Sequence, residues 1–152
     1  MKIYCDMDGV LTDFDGAYEQ LTGEDIRGQH LSDASFWKPI DEAGVKFWYE
    51  MNWKGDGKEL WEHIKQYEPK LLSAPSRENS SRVGKRLWVE KHLPGVELIL
   101  RSAKHKKDLA EPTTILIDDR LDNIEGWREK GGIGIHHTST NETIKELKKL
   151  GL

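Results

Sequence analysis

Asp6-Met7-Asp8-Gly9-Val10-Leu11-Thr12-Asp13 sets two carboxylates two positions apart, directly after the short apolar run KIYC at 2–5. Two such carboxylates at a strand end repel each other. A divalent cation relieves the repulsion, and oxygen ligands suit Mg²⁺. Gly9 lets the chain turn sharply straight after the pair. A second acidic pair, Asp118-Asp119, follows another apolar run, TTILI at 113–117. A lone D-x-D often does no more than end a strand; the second pair makes a shared cation site the better reading. A calcium loop does not fit. In the frame that ends its turn at Asp15-Gly16, Leu11 stands where an acid is required and Thr22 where the closing glutamate belongs.

The elements that must position these acids are legible as alternating patterns. Strands are predicted at 2–5, 70–73, 96–100, 113–117 and 132–135. Helices are predicted at 78–92 through Val83, Leu87 and Trp88, at 103–110, at 122–130 and at 141–150 through Ile144, Leu147 and Leu150, with Thr140 or Asn141 as cap. Strands alternating with helices imply an α/β fold, a Rossmann-like parallel sheet flanked by helices. Ligands of such sheets bind beyond the carboxyl ends of the strands. Asp6/Asp8, Asp118/Asp119 and Ser73 all fall at such ends. The stretch between the first two strands is too long for a simple crossover. It carries helical patterns of its own at 16–22, 42–52 and 57–66, and four of the six tryptophans: Trp37, Trp48, Trp53 and Trp61. This divides the chain into a core of 1–14 and 68–152 and a small helical cap of 15–67 inserted after the first strand.

The 152 residues suffice for one domain with a real core. A net charge of −4 lacks the basic excess of a duplex-binding module, so no duplex nucleic acid is expected. Small anionic substrates remain compatible, because a bound cation reverses the local field. No segment approaches the roughly 20 apolar residues of a membrane span. The single cysteine, Cys5, permits no disulfide within the chain and reads as core. The apolar run after Met1 is too short for a signal peptide, so cytoplasmic residence is the expectation. The composition does not set the oligomeric state; a homodimer is compatible with it.

The order DMDGVLTD, Ser73 after KLL, then ILIDD resembles the haloacid dehalogenase superfamily of phosphatases, over nearly the whole predicted core. The resemblance implies in-line attack of the Asp6 carboxylate on a phosphate ester, a phospho-aspartate, and its hydrolysis by water. Asp8 would protonate the leaving oxygen and then activate water. Mg²⁺ would bind the Asp6 side chain, the Asp8 backbone carbonyl and the second acidic pair, with Asp119 favoured as the direct ligand and Asp118 as its support. Ser73 would donate to the phosphoryl group; the plainer reading is an ordinary strand-end serine.

Such chemistry also wants a cation beside the transferred group. Lys85 and Lys104 compete for that place, and a solvated helix lysine is the plain alternative for both. The stretch Lys85-x-x-Trp88-Val89-Glu90-x-His92-Leu93 resembles one branch of the superfamily, the 5'(3')-deoxyribonucleotidases, in which the lysine before W-V-E contacts phosphate; this favours Lys85. In the same branch an aromatic after the first motif, a Phe-Trp pair and a later tryptophan line the base pocket. Phe14, Phe36-Trp37 and Trp48 stand at matching places, although aromatics at helical spacing more often fill a core. Ser73-Ala74-Pro75 departs from the branch's Thr-Ser-Pro, so Ala74 lacks a hydroxyl that would reach substrate.

Two further features carry weaker signals. Adjacent His136-His137 cannot share a helix face as zinc ligands do and belong in a loop. Arg77, Arg82 and Arg86 make a basic helix face, solvated or in contact with a distal phosphate. The leading expectation is a small phosphorylated substrate, a nucleoside monophosphate. Next stand a polynucleotide 3'-end or another small phosphoester, and last a non-catalytic binding module that keeps the fold.

Overall fold

The computed structural model describes Met1–Leu152. Five strands form one parallel sheet: β1 (Lys2–Cys5), β2 (Lys70–Ser73), β3 (Leu98–Leu100), β4 (Thr114–Asp118) and β5 (Ile133–His136). Their order is β3-β2-β1-β4-β5. Every pairing is parallel, with Cys5 opposite Leu71 on one side and Ile117 on the other. The expected α/β architecture is therefore present. β1, β2 and β4 read as continuous apolar runs because both faces of a parallel sheet are covered. Ile3, Cys5, Leu71, Ile115 and Ile117 join the larger apolar cluster. Their alternate neighbours Tyr4, Leu72 and Leu116 join a smaller one with Ile124 and Trp127.

Seven α-helices accompany the sheet: α1 (Phe14–Thr22), α2 (Ala34–Ala43), α3 (Val45–Tyr49), α4 (Gly57–Ile64), α5 (Asn79–His92), α6 (Leu121–Glu129) and α7 (Thr140–Lys149). No helix is long and apolar enough to cross a membrane. The stretch 103–110 is not an α-helix but a 3₁₀ turn, Ala103–Leu109. The helix expected at 42–52 is broken by Gly44, whose backbone (φ 70) separates α2 from α3. Pro39 hid α2 from a pattern reading, since it removes a helical hydrogen bond. The helix persists because Asp33 caps it through Ser35 N and Phe36 and Ile40 are buried. Ser139, not Thr140 or Asn141, caps α7 by accepting from Glu142 N.

α5 corrects the expected stripe. Val83 and Leu87 are exposed; the buried face is Ser81, Gly84, Lys85, Trp88 and Val89. Gly84 is required there, because a Cβ would overlap Trp48 of α3. The packing also divides the expected insertion in two. α1, α2 and α3 stand together beside α5. α4 instead packs against α7 and forms the crossover into β2. Asp56, just before α4, accepts from Thr140 N at 2.9 Å, and Thr140 Oγ1 donates to the Asp56 carbonyl at 2.8 Å.

His137 follows β5 and is buried in the same junction, its Nδ1 2.7 Å from Thr143 Oγ1. Burial pushes its imidazole down to about 4. A histidine unfolds to a pKa of about 6.5, so the unfolded chain binds the extra proton between these values. Stability should then fall as pH drops from about 6.5 towards 4, by on the order of 3 kcal/mol from this group alone. Urea unfolding across that window checks this against His137→Gln. The variant should lose less stability than the wild type as pH falls, and an identical slope in both would reject the assignment.

Candidate active site

Parallel pairing brings the carboxyl ends of β1, β2 and β4 to one rim. Asp6 follows β1 and is anchored by its own N–H to the Ile117 carbonyl at 2.9 Å. Asp118 ends β4 and Asp119 follows it. Carboxylate oxygens of Asp6, Asp118 and Asp119 all lie within 4.8 Å of one another. Asp6 and Asp118 are buried, and Asp119 opens toward solvent.

Asp118 has its acceptor capacity largely filled. It takes Lys106 Nζ at 2.9 Å, Arg120 N at 2.9 Å and Asn123 Nδ2 at 3.1 Å. The Asp119 carboxylate has no such set of donors. It lies against Gly9, where a Cβ would collide with it, and Gly9 itself has φ 83. Glycine is thus required twice over at that position, once for the backbone and once for the close approach. Behind the pair, His136 Nε2 donates to the Asp119 carbonyl at 3.0 Å and His137 N to the Asp118 carbonyl at 2.8 Å. His136 therefore belongs to the end of β5, not to a loop.

Two ammonium groups enter the site, not one. Lys106 Nζ lies 3.0 Å from Asp6 Oδ1 while bonding Asp118, and it is 2% exposed. Lys85 Nζ donates to Asp8 Oδ2 at 2.8 Å and to Ser73 Oγ at 2.9 Å, also from a buried position. Lys104, the competitor weighed on sequence, is exposed. Lys106 was missed because a run of Lys104, Lys106 and Lys107 does not declare which member faces inward. Only the 3₁₀ winding decides that. Thr12 and Asn123 were missed as well. Thr12 Oγ1 donates to Asp8 Oδ1 at 2.9 Å, so both Asp8 oxygens are held.

The electrostatics match this crowding. Burial pushes the Asp6 carboxyl well above the usual carboxylate range, Asp118 adds to that, and Lys106 pulls against it. Burial and then Asp118 raise Asp119 in the same way. Burial works against the Lys106 ammonium, but Asp6 and Asp118 outweigh it and hold its pKa above the ordinary lysine value. Three clustered carboxylates face one ammonium, which leaves an excess of negative charge. An all-oxygen donor set with that excess fits a hard divalent cation such as Mg²⁺.

Of the aromatics expected at a base pocket, Phe14, Phe36 and Trp48 are buried. Phe14 lies among Phe36, Trp37, Phe47 and Trp48, with ring centroids 6.4, 6.0, 5.7 and 5.8 Å away. Phe36 stacks on Tyr18 at 4.5 Å. Trp37 is half-buried, and its Nε1 donates to the Leu31 carbonyl at 2.6 Å. These side chains form the apolar centre of α1–α3. Trp48 also borders the site, with Lys85 Nζ 4.9 Å from its ring centroid. Ala74 is half-buried beside Ser73.

The fold and this rim define an α/β protein with an acidic, lysine-braced site at the carboxyl end of its sheet. No family model matches the chain, and no curated protein matches it. Solved structures do. The chain is similar to a predicted phosphatase from Clostridium acetobutylicum, at 19% identity over 99% of this chain and 98% of that one, with a TM-score of 0.57. It is similar to a hydrolase from Streptococcus pneumoniae, at 14% identity over 99% and 98% of the two chains, with a TM-score of 0.55. A HAD family hydrolase from Deinococcus radiodurans, solved with bound phosphate and sodium, matches at 12% identity over 88% and 78%, again with a TM-score of 0.55. At these identities the likeness is one of fold.

Proposed function

We propose that this protein is a Mg²⁺-dependent phosphomonoester hydrolase in which Asp6 is the nucleophile. One observation carries the reading. Asp6, Asp8, Asp118, Asp119, Lys85, Lys106 and Ser73 come from five separate stretches of sequence and meet at one rim. A non-catalytic module has no need to bury two lysines against three aspartates with a fourth beside them. The solved HAD family hydrolase with bound phosphate shares the fold and adds support.

In this reading an Asp6 carboxylate oxygen attacks phosphorus and the bond to the leaving oxygen breaks, while Asp8 supplies that oxygen with a proton. The product is an aspartyl phosphate. Asp8, now a carboxylate, takes a proton from a water that attacks the same phosphorus, and phosphate and the Asp6 carboxylate are released. Thr12 and Lys85 hold the two Asp8 oxygens for both proton transfers. Lys106 holds one Asp6 oxygen in place and works against the burial that raises its carboxyl. Ser73 and Lys85 present donors to one spot for a phosphoryl oxygen. Asp6, Asp119 and the Asp8 carbonyl would hold Mg²⁺, with Asp118 bracing Asp119; bound there, the ion supplies neutralisation of charge on the phosphoryl group.

A nucleoside monophosphate remains the substrate class that the sequence favours, through Lys85-x-x-Trp88-Val89-Glu90. The burial of Phe14, Phe36 and Trp48 in their own cluster favours a second reading, a small phosphoester without a stacked base. Phosphate release from para-nitrophenyl phosphate tests the class. Turnover should require Mg²⁺, vanish in EDTA and return on adding Mg²⁺. No turnover with Mg²⁺ present would sink the reading. A screen across nucleoside monophosphates and sugar phosphates then decides between the two substrates.

A further inference from the structure

The turn that carries Asp8 is gripped from outside by the limb on which the chain returns from α1–α3. The chain leaves the rim at Asp13 and comes back at Asn52. Asp13 N donates to the Asn52 carbonyl at 2.9 Å, and Lys54 N donates to the Leu11 carbonyl at 2.7 Å. Between these bonds Thr12 and Trp53 pair as an antiparallel bridge. The two limbs thus form a short clamp immediately after the acidic motif.

Inside the turn, the Met7 carbonyl accepts from Val10, Leu11 and Thr12 N–H groups at 3.0, 2.8 and 3.0 Å. The Gly9 carbonyl stands outside that set. Its donor is the Lys54 ammonium, half-buried on the returning limb, at 3.0 Å. Gly9 is also the residue packed directly against the Asp119 carboxylate. The carbonyl that Lys54 holds therefore belongs to the unit that joins the Asp8 backbone to the surface of Asp119. Thr12 and Lys85 hold the Asp8 carboxylate, the Gly9 N–H donates to the Thr12 carbonyl at 2.9 Å, and the next peptide, Gly9–Val10, takes its side-chain bond from Lys54.

We propose that Lys54 is a positioning residue for this site: through the Gly9 carbonyl it sets the turn that aims Asp8 and spaces it from Asp119. It transmits the seating of the returning limb to the acid without touching substrate. A charge-assisted hydrogen bond to a carbonyl is strong and directional, which suits that task. A displacement of about 1 Å at reacting groups costs on the order of a hundredfold in rate. The kinetic part of this proposal rests on the phosphatase reading.

The test uses the full chain. In Lys54→Met, kcat on para-nitrophenyl phosphate should fall about 10- to 100-fold, with KM changed by no more than about twofold. Lys54→Arg keeps a cationic donor and should recover most of the lost kcat. Lys58→Met, on the same limb but turned to the Trp53 ring, should match the wild type. Independently of turnover, the Gly9 carbonyl ¹³C resonance should move in Lys54→Met and stay near its wild-type position in Lys54→Arg. Wild-type kcat in Lys54→Met, equal losses in the Met and Arg variants, or an unmoved Gly9 carbonyl would each overturn the proposal. A wild type that turns over no phosphoester would overturn the phosphatase reading, and the carbonyl resonance would still decide whether Lys54 holds the turn.

Discussion

Lys106→Met is expected to abolish phosphomonoester turnover and to unsettle the fold at the same time. The ammonium is the only cation within bonding distance of Asp6 and Asp118, at 3.0 and 2.9 Å, and all three groups are buried. Removing one partner of a buried ion pair leaves an uncompensated charge, which costs about 3–5 kcal/mol. Here two carboxylates would be left facing each other, with Asp119 close by. Loss of electrostatic support for a developing charge lowers kcat by about 10²–10³ or more. Both effects are measurable, the first by urea unfolding at neutral pH and the second by phosphate release. Mg²⁺ should restore part of the lost stability, because a ligand that binds only the folded state stabilises it by mass action.

The other lysines give the contrast. Lys85→Met breaks bonds to Asp8 and Ser73, but Asp8 keeps 28% of its side chain exposed and can recover water. Its stability cost should be smaller than that of Lys106→Met. Lys104→Met should change neither quantity, because Lys104 is exposed. If Lys104→Met abolished turnover while Lys106→Met spared it, the geometry proposed for the site would be wrong.

Asp6→Asn is expected to remove turnover by about 10⁴-fold or more while leaving the fold intact. The amide occupies the same volume but is a far weaker nucleophile than a carboxylate. Its effect on stability should be slight or favourable, since it takes one charge out of a crowded set. Lys106 would keep Asp118 as its partner at 2.9 Å. A rapid acid quench of the wild type during turnover should trap an added phosphoryl group on the peptide containing Asp6. The variant should show none. Trapping on another aspartate, or full turnover by Asp6→Asn, would remove Asp6 from the nucleophile's place.

The strands and their acidic ends were legible because a parallel sheet buried on both faces writes itself as short apolar runs, and a run stopped by two aspartates marks its own end. All five strands form within two residues of the expected bounds. The helices were less legible where a local rule was overridden. Pro39 argues against α2, yet burial of Phe36 and Ile40 keeps it. Val83 and Leu87 look like a core stripe on α5, yet the buried stripe runs through Ser81, Gly84 and Lys85. A glycine and a lysine on an inward face are invisible to a hydrophobic pattern, because one is there to admit Trp48 and the other to reach Asp8.

The sequence by itself determined the α/β class, the placing of Asp6, Asp8, Ser73, Asp118 and Asp119 at strand ends, and their expected convergence on one rim. Those follow from periodicity and from the rule that such sheets present their sites at the carboxyl edge. The sequence favoured Lys85, but only the tertiary structure brought in Lys106, because a 3₁₀ turn sets which of several neighbouring lysines faces inward. It also decided that Phe14, Phe36 and Trp48 pack mainly on one another, since shared burial is a property of three helices at once. And it alone joined Lys54 to Gly9, 45 residues apart in the chain, because a hydrogen bond across that separation exists only after the limbs have closed.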